Sequence, residues 1–219
     1  LGTLTVPLPE KWSVSQLNEF GKCPFRYWIS RVLKLEAHQE PSNELDQKVL
    51  GTTYHKALEL FYEKIIENKL FDLNGNLDKA KDFYESSCKQ ALDELEEESN
   101  VLDYEFWPYQ RQELEFRLNR FFEQELVRES KDKFGFIPYK VESPFGMSED
   151  DAFPAMELKD GEEKILLRGI IDRIDVAGDP SAGCKVKIFD YKSGSANISA
   201  REEEEGRKIQ KPLYMIAFE

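Results

Sequence analysis

Two late runs of alternating side chains constrain this chain more than anything else in it. Residues 164–176 and 185–192 are rich in Ile, Leu and Val, and Gly178-Asp-Pro-Ser-Ala-Gly183 between them supplies turn chemistry. The pattern predicts two adjacent strands joined by a hairpin or short connection. Successive strand side chains point to opposite faces, so Val186, Ile188, Asp190 and Lys192 share one face while Lys187, Phe189 and Tyr191 share the other. On the earlier strand Asp172 shares its face with Ile170 and Ile174. A carboxylate among apolar neighbours is costly unless something pairs with it, and a divalent cation is one such partner.

Two carboxylates from neighbouring strands offer hard oxygen ligands, and Mg2+ is commonly held by one or two carboxylates with water and phosphate in its other positions. An ammonium two residues from such a ligand can orient water or stabilise charge on a phosphate. Asp172, Asp190 and Lys192 therefore read as a metal-dependent phosphodiesterase. Asp-x-Lys near a strand end is equally the pattern of an ordinary surface ion pair, which is worth ~0–1 kcal/mol, so the motif needs company.

Around these strands the chain is helix-rich first and sheet-rich second. Ser13 with Gln16 forms a capping box. Pro24 opens a second helix whose Phe25, Trp28, Ile29 and Val32 make one face. Helical periodicity continues over 45–69, 77–98 and 107–133, strands are expected at 137–146, 164–176 and 185–192, and a last helix from about 208. Residues 36–44 and 147–163 read as loops, the second of them mobile. His55 falls on the helix over 45–68 with Leu58, Tyr62 and Ile65 on its face, which taken alone describes a core histidine. Gln210 and Tyr214 lie one helical turn apart, with Pro212 setting the helix start near Lys208–Lys211.

Several of these motifs together resemble a known family. Gly169-Ile-Ile-Asp-Arg-Ile-Asp175, Asp190-Tyr-Lys-Ser-Gly194, Gln210-Lys-Pro-Leu-Tyr214 and Gly51-Thr-Thr-Tyr-His55 are similar to the motifs of RecB/AddB-type nucleases of the PD-(D/E)XK superfamily. Ser13-Val-Ser-Gln-Leu-Asn-Glu-Phe20, Cys23-Pro-Phe-Arg-Tyr-Trp28 and Val32-Leu-Lys-Leu35 resemble the opening of that domain, most of all in AddB-type subunits of bacterial helicase–nuclease complexes. The resemblance runs from about residue 13 to 219. It implies a mixed α/β fold: a restriction-endonuclease-like sheet flanked by helices, with a helical N-terminal extension. Residues 1–135 would be the helical part that carries the metal-ligand histidine and 136–219 the nuclease core, together one nuclease domain cut from a longer protein whose missing N-terminal part is helicase-like.

The same resemblance implies roles residue by residue. His55, Asp172 and Asp190 would hold Mg2+ or Mn2+, joined by the backbone carbonyl of Tyr191 and by Glu142, which sits where such enzymes often place a first-strand acid. Asp172, Asp190 and Lys192 would be catalytic, Lys192 assisting water attack. Gln210, Tyr214 and Arg173 would contact DNA. Cys23 would be the first of four ligands of a 4Fe-4S cluster in a full-length parent. A cubane cluster needs four thiolates, and this chain has three cysteines, so it cannot complete one. The implied function is hydrolysis of DNA, in single strands released by a helicase–nuclease partner during break repair and recombination. The alternatives are a nuclease-fold DNA-binding or subunit-docking module without catalysis, and a protein-interaction domain built on the Trp107-Pro-Tyr109 and Phe121-Phe122 aromatics.

Composition limits these readings. The chain has 219 residues, enough for one large domain. It has no stretch of eighteen apolar residues, signal peptide or internal repeat. Cys88 lies on the apolar stripe of its helix and reads as a small buried hydrophobe, and Cys184 has no nearby cysteine or histidine. An odd cysteine count without Cys-x-x-Cys favours the reducing cytoplasm of a bacterium over a disulfide framework. The formal charge of −13 is unlike that of a simple DNA-binding module. The acids concentrate in 93–98 and 202–205, whereas Arg168, Arg173, Lys192, Arg207, Lys208 and Lys211 lie around the motifs. The expectation is a domain that is monomeric and binds DNA weakly in isolation, with a steep loss in salt.

Overall fold

The computed structural model describes residues 9–35, 45–98, 103–151, 153–192 and 213. The chain divides into two compact units that interleave in sequence: Leu1–Gln39, Ser143–Ile171 and Ala196–Glu219 form one, Glu40–Glu142 and Asp172–Ser195 the other. A mixed α/β architecture results, and one long strand runs through both units.

In the first unit, β1 (Lys11–Ser13) leads into α1 (Val14–Lys22). The capping box expected from Ser13 and Gln16 is present: the Gln16 N–H donates to Ser13 Oγ at 3.2 Å, and the Ser13 N–H donates to Gln16 Oε1 at 2.8 Å. Pro24 opens α2 (Pro24–Tyr27) as anticipated, but the helix then widens into a π-helical turn over Trp28–Val32. The single apolar face read from the sequence does not form, and Phe25 is left 67% exposed. Ser30 lies within this turn, its hydroxyl in hydrogen-bond reach of Glu19 Oε1 at 2.7 Å and of the Arg26 carbonyl at 3.0 Å. Trp12 stacks on Tyr27 at 5.4 Å, and Phe20 meets Tyr27 edge-on at 5.5 Å.

The sheet is built on β4 (Glu163–Asp179), flanked by β1 in parallel and β3 (Met156–Asp160) antiparallel, with β2 (Ile137–Phe145) also beside it. β3 lies inside the stretch expected to be a loop. Its side chains are mostly charged, which hides the alternation, yet Asp160 pairs with Glu163 across a two-residue turn in which Gly161 adopts φ +61°. The other demanding glycine is Gly146, with φ +62°, where a Cβ would lie 2.6 Å from Ala155 Cα and 2.9 Å from the Leu167 carbonyl.

The second unit holds α3 (Gln47–Glu67), α4 (Leu77–Glu98), α5 (Trp107–Ser130) and the hairpin of β4 with β5 (Gly183–Phe189). Its core follows the sequence periodicity. α3 buries Ala57, Leu58, Phe61, Tyr62 and Ile65, and Phe61, Tyr84 and Phe122 pack as an aromatic cluster with centroids 4.7–6.0 Å apart. Each such side chain contributes about 1.5–3 kcal/mol on burial. Cys88 packs against this core as expected, and burial pushes its thiol up to about 12. β4 and β5 pair antiparallel from Arg173↔Phe189 to Asp179↔Gly183, as the turn chemistry predicts. Of the expected last helix only Leu213 is described; it is helical and buried.

Candidate metal centre

Every described candidate for the metal centre lies in the second unit. α3 starts at Asp46, whose carboxylate caps the Lys48 N–H at 2.6 Å. Two turns on, the helix presents His55, which is 30% exposed rather than sealed in the core. His55 Nε2 stands 3.0 Å from the Tyr191 carbonyl oxygen. A carbonyl can only accept, so this nitrogen carries the proton and fixes the tautomer. Nδ1 then faces Asp172 Oδ2 at 3.6 Å. A nitrogen lone pair and a carboxylate oxygen this close call for an electrophile between them, either a proton or a cation. Asp172 Oδ2 also accepts the Tyr191 N–H at 2.5 Å, so the main chain of one residue ties imidazole and carboxylate together.

Glu142 completes the group: His55, Glu142 and Asp172 each offer a ligand atom, all within 4.8 Å of one another. It sits mid-strand with φ +40°, a left-handed conformation that costs a non-glycine residue on the order of 1 kcal/mol or more. The break in β2's regular alternation coincides with the site, as strained positions often do. Burial pushes the Glu142 carboxyl up to about 7, helped by the charges of Asp172 and Glu59 and opposed by Lys56. Burial also raises Asp172, with Asp190 adding to it and His55, the Tyr191 N–H and Lys192 working the other way. Two half-buried carboxyls held above their ordinary range, beside one imidazole, are short of positive charge. An oxygen-rich set with a single nitrogen suits a hard or borderline divalent cation, so the residues fit the implied metal.

The structure separates the other expected site residues. Asp190 is not in the three-residue group; its Oδ1 holds Lys192 Nζ at 2.7 Å. Arg173 requires a correction. The expected DNA contact is incompatible with a side chain of 0% exposure, locked between Glu125 (3.1 Å) and Asp175 (2.9 Å). The face opposite Asp172 is sealed, which an Asp-Arg-Ile-Asp string cannot reveal by itself. Cys23 joins α1 to α2 as a half-buried thiol, while Cys88 and Cys184 sit on α4 and β5. Gln210 and Tyr214 lie outside the described residues, as do Arg207, Lys208 and Lys211. Glu59 and Lys56 were not anticipated. They pair at 2.8 Å, and the available signal was Glu59's position one helical turn after His55.

A sheet-borne carboxylate facing a helix-borne histidine, followed by Asp-x-Lys, defines a class of protein, and the family match agrees with it: the model of the PD-(D/E)XK nuclease superfamily matches residues 11–219. The chain belongs to that superfamily. Among characterised proteins it is similar to the B subunit of the ATP-dependent helicase/deoxyribonuclease of Alkaliphilus metalliredigens, at 30% identity over 216 residues, 96% of this chain and 18% of the relative. The protein of the same name in Moorella thermoacetica is 31% identical over 215 residues, again 96% of this chain and 18% of the relative. That of Natranaerobius thermophilus is 32% identical over 204 residues, 93% of this chain and 17% of the relative. The chain thus spans about 18% of the length of these relatives. No helix among the described residues is long and apolar enough to cross a membrane.

Proposed function

We propose that this chain is a Mg2+- or Mn2+-dependent deoxyribonuclease domain that hydrolyses phosphodiester bonds in DNA strands delivered by a helicase partner. The observation that carries the reading is the convergence of His55, Glu142 and Asp172 from three separate elements, α3, β2 and β4. These three, with the Tyr191 carbonyl, would hold the cation, and Asp190 would join them by releasing Lys192. A divalent cation held by these residues would supply polarisation of the scissile phosphate and a more acidic water. A nitrogen ligand beside carboxylates admits Mn2+ as well as Mg2+.

The chain's own residues divide the remaining work. Lys192 Nζ is attached to a side chain 49% exposed and can turn from Asp190 to a phosphate oxygen, where its charge offsets the charge that builds during attack. His55 keeps its proton on Nε2 against the Tyr191 carbonyl, so the ring stays oriented toward Asp172. Gln210 and Tyr214 would position the strand. The names of the relatives support DNA as substrate and a helicase–nuclease complex as setting; break repair in the bacterial cytoplasm is the context proposed with them. With a net charge of −13, the domain would rely on the cation and its partner for DNA affinity.

The test measures two quantities on one set of variants: Mn2+ binding by titration calorimetry and cleavage of labelled single-stranded DNA. Asp172→Ala and His55→Ala should lose Mn2+ binding and cleavage together. Lys192→Ala should keep Mn2+ binding and lose about 100-fold or more in rate. Full cleavage by Asp172→Ala would sink the proposal.

A further inference from the structure

Residues 190–192 carry much of the site, yet they lie beyond the strand ladder, whose last pair is Arg173↔Phe189. Their position has to come from something other than sheet hydrogen bonds. Side-chain contacts supply the answer: Phe189 and Tyr191 turn their rings toward Arg173, while the charges of Asp190 and Lys192 act on Asp172. The Arg173 guanidinium lies 3.7 Å from the Phe189 ring centroid, 4.1 Å from that of Tyr62 and 5.8 Å from that of Tyr191. Its charge is met by Glu125 at 3.1 Å and Asp175 at 2.9 Å, and Tyr62 donates to Glu125 at 2.5 Å. Among the described residues the buried Tyr191 hydroxyl has no hydrogen-bond partner, and the ring packs against Arg173, Phe121 at 5.5 Å and His55 at 5.9 Å.

We infer that Arg173 is a positioning residue for the metal centre: wedged between Tyr62 and Phe189, its guanidinium fixes the Phe189–Tyr191 backbone, whose N–H and carbonyl hold Asp172 and His55. The inference rests on reading His55 and Asp172 as cation ligands. It assigns Arg173 neither to DNA nor to the reacting atoms. The planar fork is essential to this role, since only a guanidinium can stack between two rings while meeting two carboxylates at its edge. Lysine keeps the charge but not the plane. Such a partner behind a metal site is worth about 10–100-fold in metal affinity.

The experiment compares the chain with Arg173→Lys, Phe189→Leu and Leu92→Ala, the last removing a buried core side chain on α4 far along the chain from the site. Each is measured below its melting temperature for Mn2+ affinity by calorimetry and, without metal, for the Tyr191 backbone amide resonance by NMR. Arg173→Lys and Phe189→Leu should weaken Mn2+ binding about 10-fold or more and move the Tyr191 amide. Leu92→Ala should lower the melting temperature and leave both readouts in place. If Arg173→Lys does not fold, Phe189→Leu, which keeps every charge, decides. Unchanged affinity and amide in the variants, or equal losses in Leu92→Ala, overturn the inference. If the unaltered chain itself binds no Mn2+, the ligand reading fails, while the metal-free amide shift still reports on positioning.

Discussion

Two clusters of ionisable side chains sit back to back on β4, and they differ in one respect that decides their roles. On one face Arg173 and Arg128 meet Glu125 and Asp175, two cations against two anions, with Arg128 2.7 Å from Glu125 and 3.5 Å from Asp175. Arg173 Nη2 donates to Asp175 Oδ2 at 3.3 Å, and the Arg173 Nε and Asp175 Oδ1 atoms lie 2.9 Å apart as an ion pair. On the other side Asp172 and Glu142 share His55, with Lys56 and Lys192 acting on them from their own ion pairs with Glu59 and Asp190. The first cluster balances its charges, and Arg173, Asp175 and Glu125 are buried in it, with only Arg128 reaching the surface at 29% exposure. The unbalanced one is short of positive charge, and burial without a counterion is tolerable there only because a ligand or a proton can make up the difference. Charge balance thus differs between polar groups on adjacent residues of one strand, and on the reading proposed above it would separate structural from functional ones.

The largest effect that would break this comparison is on stability. Arg173→Met strands Glu125 and Asp175 in the interior and should cost about 3–5 kcal/mol, whereas Asp172→Asn removes a crowded charge and should leave the metal-free protein at least as stable; urea denaturation of both checks the contrast, and equal losses would erase it. Next comes the pH dependence of the metal-free protein. A Glu142 carboxyl raised to about 7 from an ordinary 4.5 means that ionisation on the way up costs folded-state stability, so the contribution is full at low pH and falls as pH rises through that window. After allowance for solvent screening the decline is on the order of 1 kcal/mol. Melting curves from pH 4.5 to 7 should show it, and Glu142→Gln should flatten it. The smallest effect sharpens the meaning of burial: Lys81→Ala breaks an exposed pair with Glu85, 3.6 Å apart, and should cost only about 0.3–0.5 kcal/mol in the same denaturation assay.

Much of this was legible in the sequence. The helices over 77–98 and from 107, the 164–176 and 185–192 strands and the Ser13 cap follow from periodicity and turn chemistry, which are local properties, and the motif set led to the superfamily. The π-helical turn at Trp28–Val32 is not legible, because residue type and periodicity do not distinguish one wide turn from the regular helix around it. β3 was missed because its charged residues are those of a short edge strand. In the site, Asp172 and His55 were singled out by motif and drawn together by the fold. Glu142 was named only by analogy, and the positive φ that marks it leaves no trace in residue type. The burial of Arg173 is not legible either, because an arginine beside a candidate ligand aspartate looks the same in sequence whether its face is open or sealed.

Sequence alone determined which residues could ligate a cation and which strands would carry them, since alternation and residue chemistry are written into neighbouring positions. The tertiary structure decided which of those charges cancel. Asp190 neutralises Lys192, Arg173 is consumed by Glu125 and Asp175, and the shortage of positive charge falls on His55, Glu142 and Asp172. The physical reason is that electrostatic pairing depends on distance and burial across elements far apart in the chain, and neither quantity exists until the helices and strands have packed.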